Sequence, residues 1–219
     1  MTGQLALNFP LAEDATFANY VGDAAQKLRA LSGVCYVWGE AESGRSHLLQ
    51  ACCHTARENG QSAIYLEHPA EHDADILDGL ESVAVVCIDD VDSVLAADKW
   101  QLGLFQLINA VQASGGCLVF SAHKPAMQLQ RMLPDLHSRL LAAVAIETDR
   151  LTDAQKLTAL KQRAFRHGFT LNDEVGHFLM GRVPRSMRSL MSLLERIEVE
   201  TLVRQKKVTI PLVKQTLGI

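Results

Sequence analysis

Residues 34–49 constrain the fold more than any other part of this chain. Val34 to Trp38 form an apolar run, Gly39 to Ser46 a glycine-bounded loop, and His47 to Ala51 the start of a helical pattern. The layout matches G-x-x-x-x-G-K-[ST], with Arg45 in the lysine position. Glycines let a backbone wrap closely around an anion, and the N–H groups that open a helix point toward it. Arg45 supplies a cation for phosphate charge, and the Ser46 hydroxyl is a ligand type for Mg2+. His47 belongs to the same candidate binding stretch. A plain strand-turn-helix uses the same two glycines, so a second signal is needed.

That signal is Val83 to Ile88, a continuous apolar run that ends in Asp89, Asp90 and Asp92. Such a run suits a strand buried on both faces of a parallel sheet, whose carboxyl end faces the ligand crevice. Asp89 is a candidate to hold Mg2+ through water, and Asp90 to orient a nucleophilic water. Together with the glycine loop, these acids point to nucleoside-phosphate binding.

The remaining pattern alternates strands and helices. Helices are expected over 24–31, from Arg45 to about Asn59, over 100–113 and over 134–140. Strands are expected over 62–66, 117–121 and 142–147. Leu102, Phe105, Leu107, Ile108 and Val111 share helical spacing and are expected to face a core. His123 follows the fourth strand, where a polar group would face a terminal phosphate. From Leu151 onward the pattern is helical throughout, with Thr152 and Asn172 as natural N-caps and a last turn after Pro211. The fold class is therefore α/β, a parallel sheet flanked by helices, followed by a small all-α unit. The boundaries are a tail at 1–9, a nucleotide-binding domain at 10–149 and a helical domain at 150–219.

Composition narrows the function classes. No apolar run reaches bilayer length, and the N-terminus lacks the basic and apolar regions of a signal peptide. The five cysteines form no C-x-x-C pair, which fits a reduced, cytoplasmic setting without zinc or disulfides. Net charge is −4 but unevenly spread. Residues 1–149 hold 8 basic and 19 acidic side chains, whereas residues 150–219 hold 13 and 6. The basic segment is either a solvated helical face or a surface for phosphates or an acidic partner. In the tail, Gln4 offers an amide while Leu5, Leu7 and Phe9 offer apolar anchors for a partner's groove. A first strand is the alternative there.

Several stretches taken together resemble one family. Phe17 to Val21, the Gly39–Ser46 loop, Ile88 to Asp90, Leu136 to Leu140 and Met187 to Leu190 are similar to the AAA+ module of the bacterial replication initiator DnaA. The chain ends where that initiator would continue into a DNA-binding domain. The short Q-L-x-L-x-F tail and the arginine in the loop resemble the regulatory, DnaA/Hda-like branch of the family. The resemblance implies a five-stranded parallel sheet in the order 5-1-4-3-2, with a C-terminal helical lid. It implies Walker A at Gly39, Gly44, Arg45 and Ser46, and Walker B at Asp89 and Asp90. It also implies an arginine finger at Arg139 and a lid arginine at Arg188, with Arg185 and Arg182 as neighbouring alternatives. From the residues alone, Arg139 is an ion-pair partner for Asp135 four residues earlier.

The implied ligand is ADP or another nucleoside diphosphate, with Mg2+. The implied partners are DnaA, the DNA polymerase III sliding clamp bound through Gln4, Leu5, Leu7 and Phe9, and a second copy of the chain. DNA would be met only indirectly, and no membrane is involved. The implied function is negative regulation of replication initiation, by promoting hydrolysis of the ATP held by DnaA. An autonomous P-loop ATPase and a nucleotide-gated helicase loader or adaptor are the alternatives. Arg45 in place of lysine and His123 in place of an acid or amide both weigh against efficient turnover in the chain's own site.

Overall fold

The computed structural model describes residues 11–29, 32–184, 186–204 and 208–218. Gln4, Leu5, Leu7, Phe9 and Arg185 lie outside the described residues. Five short strands form one sheet: β1 (Gly33–Gly39), β2 (Ala63–Leu66), β3 (Val85–Ile88), β4 (Cys117–Ala122) and β5 (Val144–Thr148). Their order is β2-β3-β4-β1-β5, and every neighbouring pair is parallel. The helices of this unit are α1 (Ala24–Arg29), α2 (Arg45–Glu58), α3 (Asp98–Ser114) and α4 (Pro134–Ala142).

The strands read as unbroken apolar runs because both faces are covered. Successive side chains go to opposite faces, so β1 to β4 feed two cores, whereas the edge strand β5 gives Ile146 to one. Val34 and Tyr36 of β1, Val86 and Ile88 of β3, and Leu118 and Phe120 of β4 pack with α3 and α4. Cys35 and Val37, Cys87, and Val119 from the same three strands pack with α1 and α2. β1 and β4 are therefore neighbours whose outgoing helices, α2 and α4, lie on opposite faces. That is a topological switch point, where a crevice opens beyond the strand ends.

Leu151 to the C-terminus forms a second compact unit. It holds α5 (Asp153–Arg166), α6 (Asp173–Met180), α7 (Met187–Arg204) and α8 (Ile210–Leu217). Thr152 closes a capping box with Gln155, and Asn172 accepts from the Val175 amide at 2.8 Å. Leu160, Val175, Leu179, Leu194, Ile197 and Val213 are among its core residues. Pro211 sits inside the first turn of α8 instead of ahead of it, after the Thr209 cap. Proline fits there because that turn's N–H groups have no helical partner to lose.

The structure corrects one expected core position. Trp100, Leu104, Leu107, Ile108 and Val111 face the core along α3, but Leu102 is 51% exposed and Phe105 only partly buried. The buried face of α3 is the 100/104/108/111 stripe, and Leu102 falls off it. Ile108→Ala should therefore cost about 2–5 kcal/mol, whereas Leu102→Ala should stay within about 0.5 kcal/mol. Urea unfolding followed by tryptophan fluorescence checks this, because both tryptophans, Trp38 and Trp100, report on the sheet unit.

Candidate functional site

The glycine loop is shaped by contacts that a larger residue would break. Gly44 has φ +86° and forms the N-cap of α2 with no side-chain cap. A Cβ there would lie 2.8 Å from Cε2 of Tyr20. A Cβ on Gly39 would run into the hydroxyl and carbonyl oxygens of Thr148. Thr148 donates its hydroxyl to the Trp38 carbonyl at 3.2 Å, so the 2.7 Å contact with Ser43 is donated by the Ser43 hydroxyl. The opening N–H groups of α2 thus face the loop without a side-chain acceptor at the cap, the arrangement that receives an anion. Ser46 is exposed on the first turn. His47 turns toward the N-terminal segment, its Nε2 2.8 Å from the Thr16 carbonyl and its ring edge-on to Tyr20.

The acids at the end of β3 differ sharply from one another. Asp89 is 4% exposed. Tyr65 from β2 donates to its Oδ2 at 2.7 Å, and Ser121 from β4 donates to its Oδ1. Ser121 also accepts from the Asp90 amide at 2.8 Å. Asp90 itself has φ +47°, which turns the chain sharply after the strand. Its Oδ1 lies 2.8 Å from Nη1 of Arg45, whose side chain is 7% exposed. Neither atom has a hydrogen-bond partner, so this close ion pair is held by charge without an aligned N–H. Burial, together with Asp89, raises the pKa of Asp90, and Arg45 and His123 offset part of that rise.

His123 stands beside the same acids. Its Nδ1 is 3.2 Å from Oδ2 of Asp92 and 3.7 Å from Oδ1 of Asp90, and its backbone N–H donates to Asp92 at 3.1 Å. Tyr36 fixes the exit of β4 by donating to the Lys124 carbonyl at 2.8 Å. Sequence reasoning named Arg45, Asp89, Asp90 and His123, which the fold brings together. It named Asp92 among the acids without giving it a role, and missed Tyr65, Ser121 and Thr148 as part of the site. A polar residue closing an otherwise apolar strand was the available signal for Ser121 and Thr148. Tyr65 gave none, because an aromatic in a strand is ordinary core.

Arg139 lies elsewhere on this unit. Leu136 and Leu140 bury one side of α4, and Arg139 is exposed on the other. The ion pair with Asp135 that the spacing allows is not formed, and Arg139 makes none among the described residues. Gln101 of α3 is 3% exposed and sets the start of α4. It donates to the Leu95 carbonyl at 2.8 Å and accepts from the Leu133 amide. Arg188 is exposed in the first turn of α7, in the second unit, beside Val183, Ser192 and Arg196.

The sheet order, the uncapped glycine loop after β1 and the acids after β3 define an AAA+ module of the P-loop class, followed by a helical lid. Comparison gives the family. The model for the bacterial DnaA ATPase domain matches residues 12–147, and the model for the Hda lid domain matches residues 153–217. The chain belongs to the bacterial DnaA ATPase-domain family, as an Hda-like DnaA homologue. Domain III of the Thermotoga maritima replication initiation protein DnaA is similar in fold at 19% identity and TM-score 0.77, covering 96% of this chain and 98% of that one. A replication initiator DnaA bound to AMPPCP and single-stranded DNA aligns at 19% identity and TM-score 0.70, over 89% of this chain and 69% of that one. AMPPCP-bound DnaA from Aquifex aeolicus aligns at 18% identity and TM-score 0.69, over 89% and 70%. Among the described residues, no helix is long and apolar enough to cross a membrane.

All three tyrosines of the chain serve this site or its borders. Burial raises each pKa: Tyr20 to about 12 with help from Asp149, Tyr36 with help from Asp92, and Tyr65 with help from Asp89. In the unfolded chain they titrate near 10. The unfolded state therefore releases protons first, and stability held below about pH 10 should fall as pH rises above it. Absorbance at 295 nm should show little tyrosinate in the native protein at about pH 10.5, and the urea midpoint should drop over the same range.

Proposed function

We propose that the chain binds a nucleoside diphosphate, ADP or a close relative, and uses that bound form to present Arg139 to ATP held by DnaA. The residues fit such a ligand. The α2 N-terminus has no side-chain cap, Gly39 and Gly44 leave the two ends of the loop without a side chain, and Arg45 holds an unaligned, buried guanidinium beside it. Gly39, Gly44, Arg45, Ser46 and His47 would hold the phosphates. Ser46 and Asp89 would hold Mg2+, whose chemistry is to screen phosphate charge. Arg188 would meet the same nucleotide from the lid, a role for which Arg185 and Arg182 are neighbouring candidates. The boundaries that go with this reading are a binding tail at 1–9, a nucleotide domain at 10–149 and a lid at 150–219. That DnaA structures are described with bound AMPPCP supports an adenine nucleotide.

The observation that carries the regulatory reading is the contrast between two arginines. Arg45 is buried and engaged with Asp90, the acid that would orient water for hydrolysis in the chain's own site. Arg139 is exposed and without an ion-pair partner among the described residues. The first arrangement disfavours turnover in cis, and the second favours an arginine offered to a neighbour. An arginine supplied in trans stabilises charge on the transferred phosphoryl group. The protein would act in this way as a negative regulator of replication initiation. Gln4, Leu5, Leu7 and Phe9 would tether it to the sliding clamp, so that DNA is met only through partners.

Arg139→Ala should lower stimulated hydrolysis of DnaA-bound ATP by about 10³-fold or more, while the chain keeps its own co-purifying nucleotide. Undiminished stimulation would remove Arg139 from this role. Deleting residues 1–9 should abolish clamp binding in a surface-immobilised assay and leave nucleotide retention unchanged. A truncated chain that still binds the clamp would move the tether elsewhere.

A further inference from the structure

We propose that Asp90, Asp92 and His123 form a binding site for a divalent transition-metal ion, and that Arg45 competes with the ion for it. Among the described residues this is the one group of three such side chains whose donor atoms all lie within 4.8 Å of one another. It is built by the fold. Asp90 and Asp92 follow β3, and His123 follows β4, so the parallel pairing of these strands sets the acids against the imidazole. The His123 Nδ1 is 3.2 Å from Asp92, its hydrogen-bond partner, and 3.7 Å from Asp90, so an ion could take the place of the proton between them. Bonds of about 2.0–2.2 Å to N and O put donors roughly 3–4.4 Å apart around one metal, so the group need only draw in slightly to share an ion.

The donor set selects the metal class. One imidazole nitrogen and two carboxylate oxygens suit zinc-like ions, whereas Mg2+ is held by oxygens and keeps its waters. The His123 amide donates to Asp92 Oδ2, which orients that carboxylate as outer-shell hydrogen bonds do at metal sites. His123 is 45% exposed, so an ion can enter and retain water. The site differs from the magnesium position at Ser46 and Asp89, since the two share no residue.

A second observation points to a cation here. Arg45 is 93% buried, and its Nη1 stands 2.8 Å from Asp90 Oδ1 without a hydrogen bond. The cluster attracts positive charge and holds it by attraction alone. A metal would give Asp90 a directional bond in place of that contact. The guanidinium would then be released toward the glycine loop. This goes beyond the nucleotide reading and requires no nucleotide.

The test is a Co2+ titration of the metal-free, nucleotide-free, thiol-reduced full chain, followed by visible d–d absorption. One equivalent should bind with the spectrum of nitrogen and oxygen ligands. Excess Zn2+ should displace it, and Mg2+ at the same concentration should not. His123→Ala, at an exposed position that leaves the fold intact, should weaken binding by about tenfold or more. Arg45→Ala should tighten it. Binding seen only in Arg45→Ala, and lost when His123→Ala is added, also supports the proposal, with Arg45 as a complete block. No Co2+ binding to either chain, equal displacement by Mg2+, or a spectrum unchanged by His123→Ala would overturn it.

Discussion

A carboxylate buried between three strands is hard to hold, and the fold of this unit is arranged around holding one. Asp89 at the end of β3 takes an O–H from Tyr65 on β2 and another from Ser121 on β4. An unpaired buried ion would cost several kcal/mol, whereas each hydrogen bond to a charged group contributes about 1.5–3 kcal/mol. The two bonds therefore do more than orient a side chain. They tie the carboxyl ends of β2, β3 and β4 at one level, which is the level of the crevice. Ser121 then reaches to the Asp90 amide and supports the left-handed turn that sends Asp90 out toward Arg45.

Arginine at position 45 makes sense in that setting. A lysine ammonium is compact and strongly hydrated, so burial against a carboxylate strips it of water it would otherwise keep. A guanidinium is less hydrated and broad enough to face Asp90 with one nitrogen. Here it does so at 2.8 Å without an aligned N–H, so the pair is held by charge. The P-loop cation and the second acid after β3 are thus satisfied by each other. Anything that draws Arg45 away would leave Asp90 to water and to His123.

Much of this was legible in the sequence. Unbroken apolar runs at 34–38, 83–88 and 117–121 read as strands because a sheet covered on both faces demands them. The helix expected over 100–113 forms as α3 and ends at Gly115, at φ +75°. The five cysteines were read as thiols and are free thiols in the structure. The cluster at the strand ends was only half legible. Motif spacing marks Arg45, Asp89 and Asp90, but Tyr65 and Ser121 join them through parallel pairing, which no local pattern encodes. Leu102 went wrong for a related reason. Spacing along a helix defines an apolar stripe but not its edge, and the sheet beneath α3 decides where that edge falls. The Asp135–Arg139 pair failed because four-residue spacing permits an exposed ion pair without making it worth the side-chain entropy.

The opposite-face exits of α2 and α4 put the helix that begins at Arg45 and the helix that carries Arg139 on opposite faces of the sheet. The glycine loop leads into α2 on one face of the sheet, so its cation is committed inward. α4 leaves on the other face, with Leu136 fully buried and Leu140 2% exposed beneath it. Gln101 pins the residue that precedes it. The backbone under Arg139 is therefore set before any partner arrives, and only the side chain must be ordered. Roughly 2 kcal/mol of rotamer entropy belongs to an arginine, so in the trans role proposed above it would be a small opposing term beside the several kcal/mol that an arginine finger contributes in GTPase systems. A helix this short would be marginal alone. Its apolar side packs against the sheet, and Arg139 stands on the exposed side.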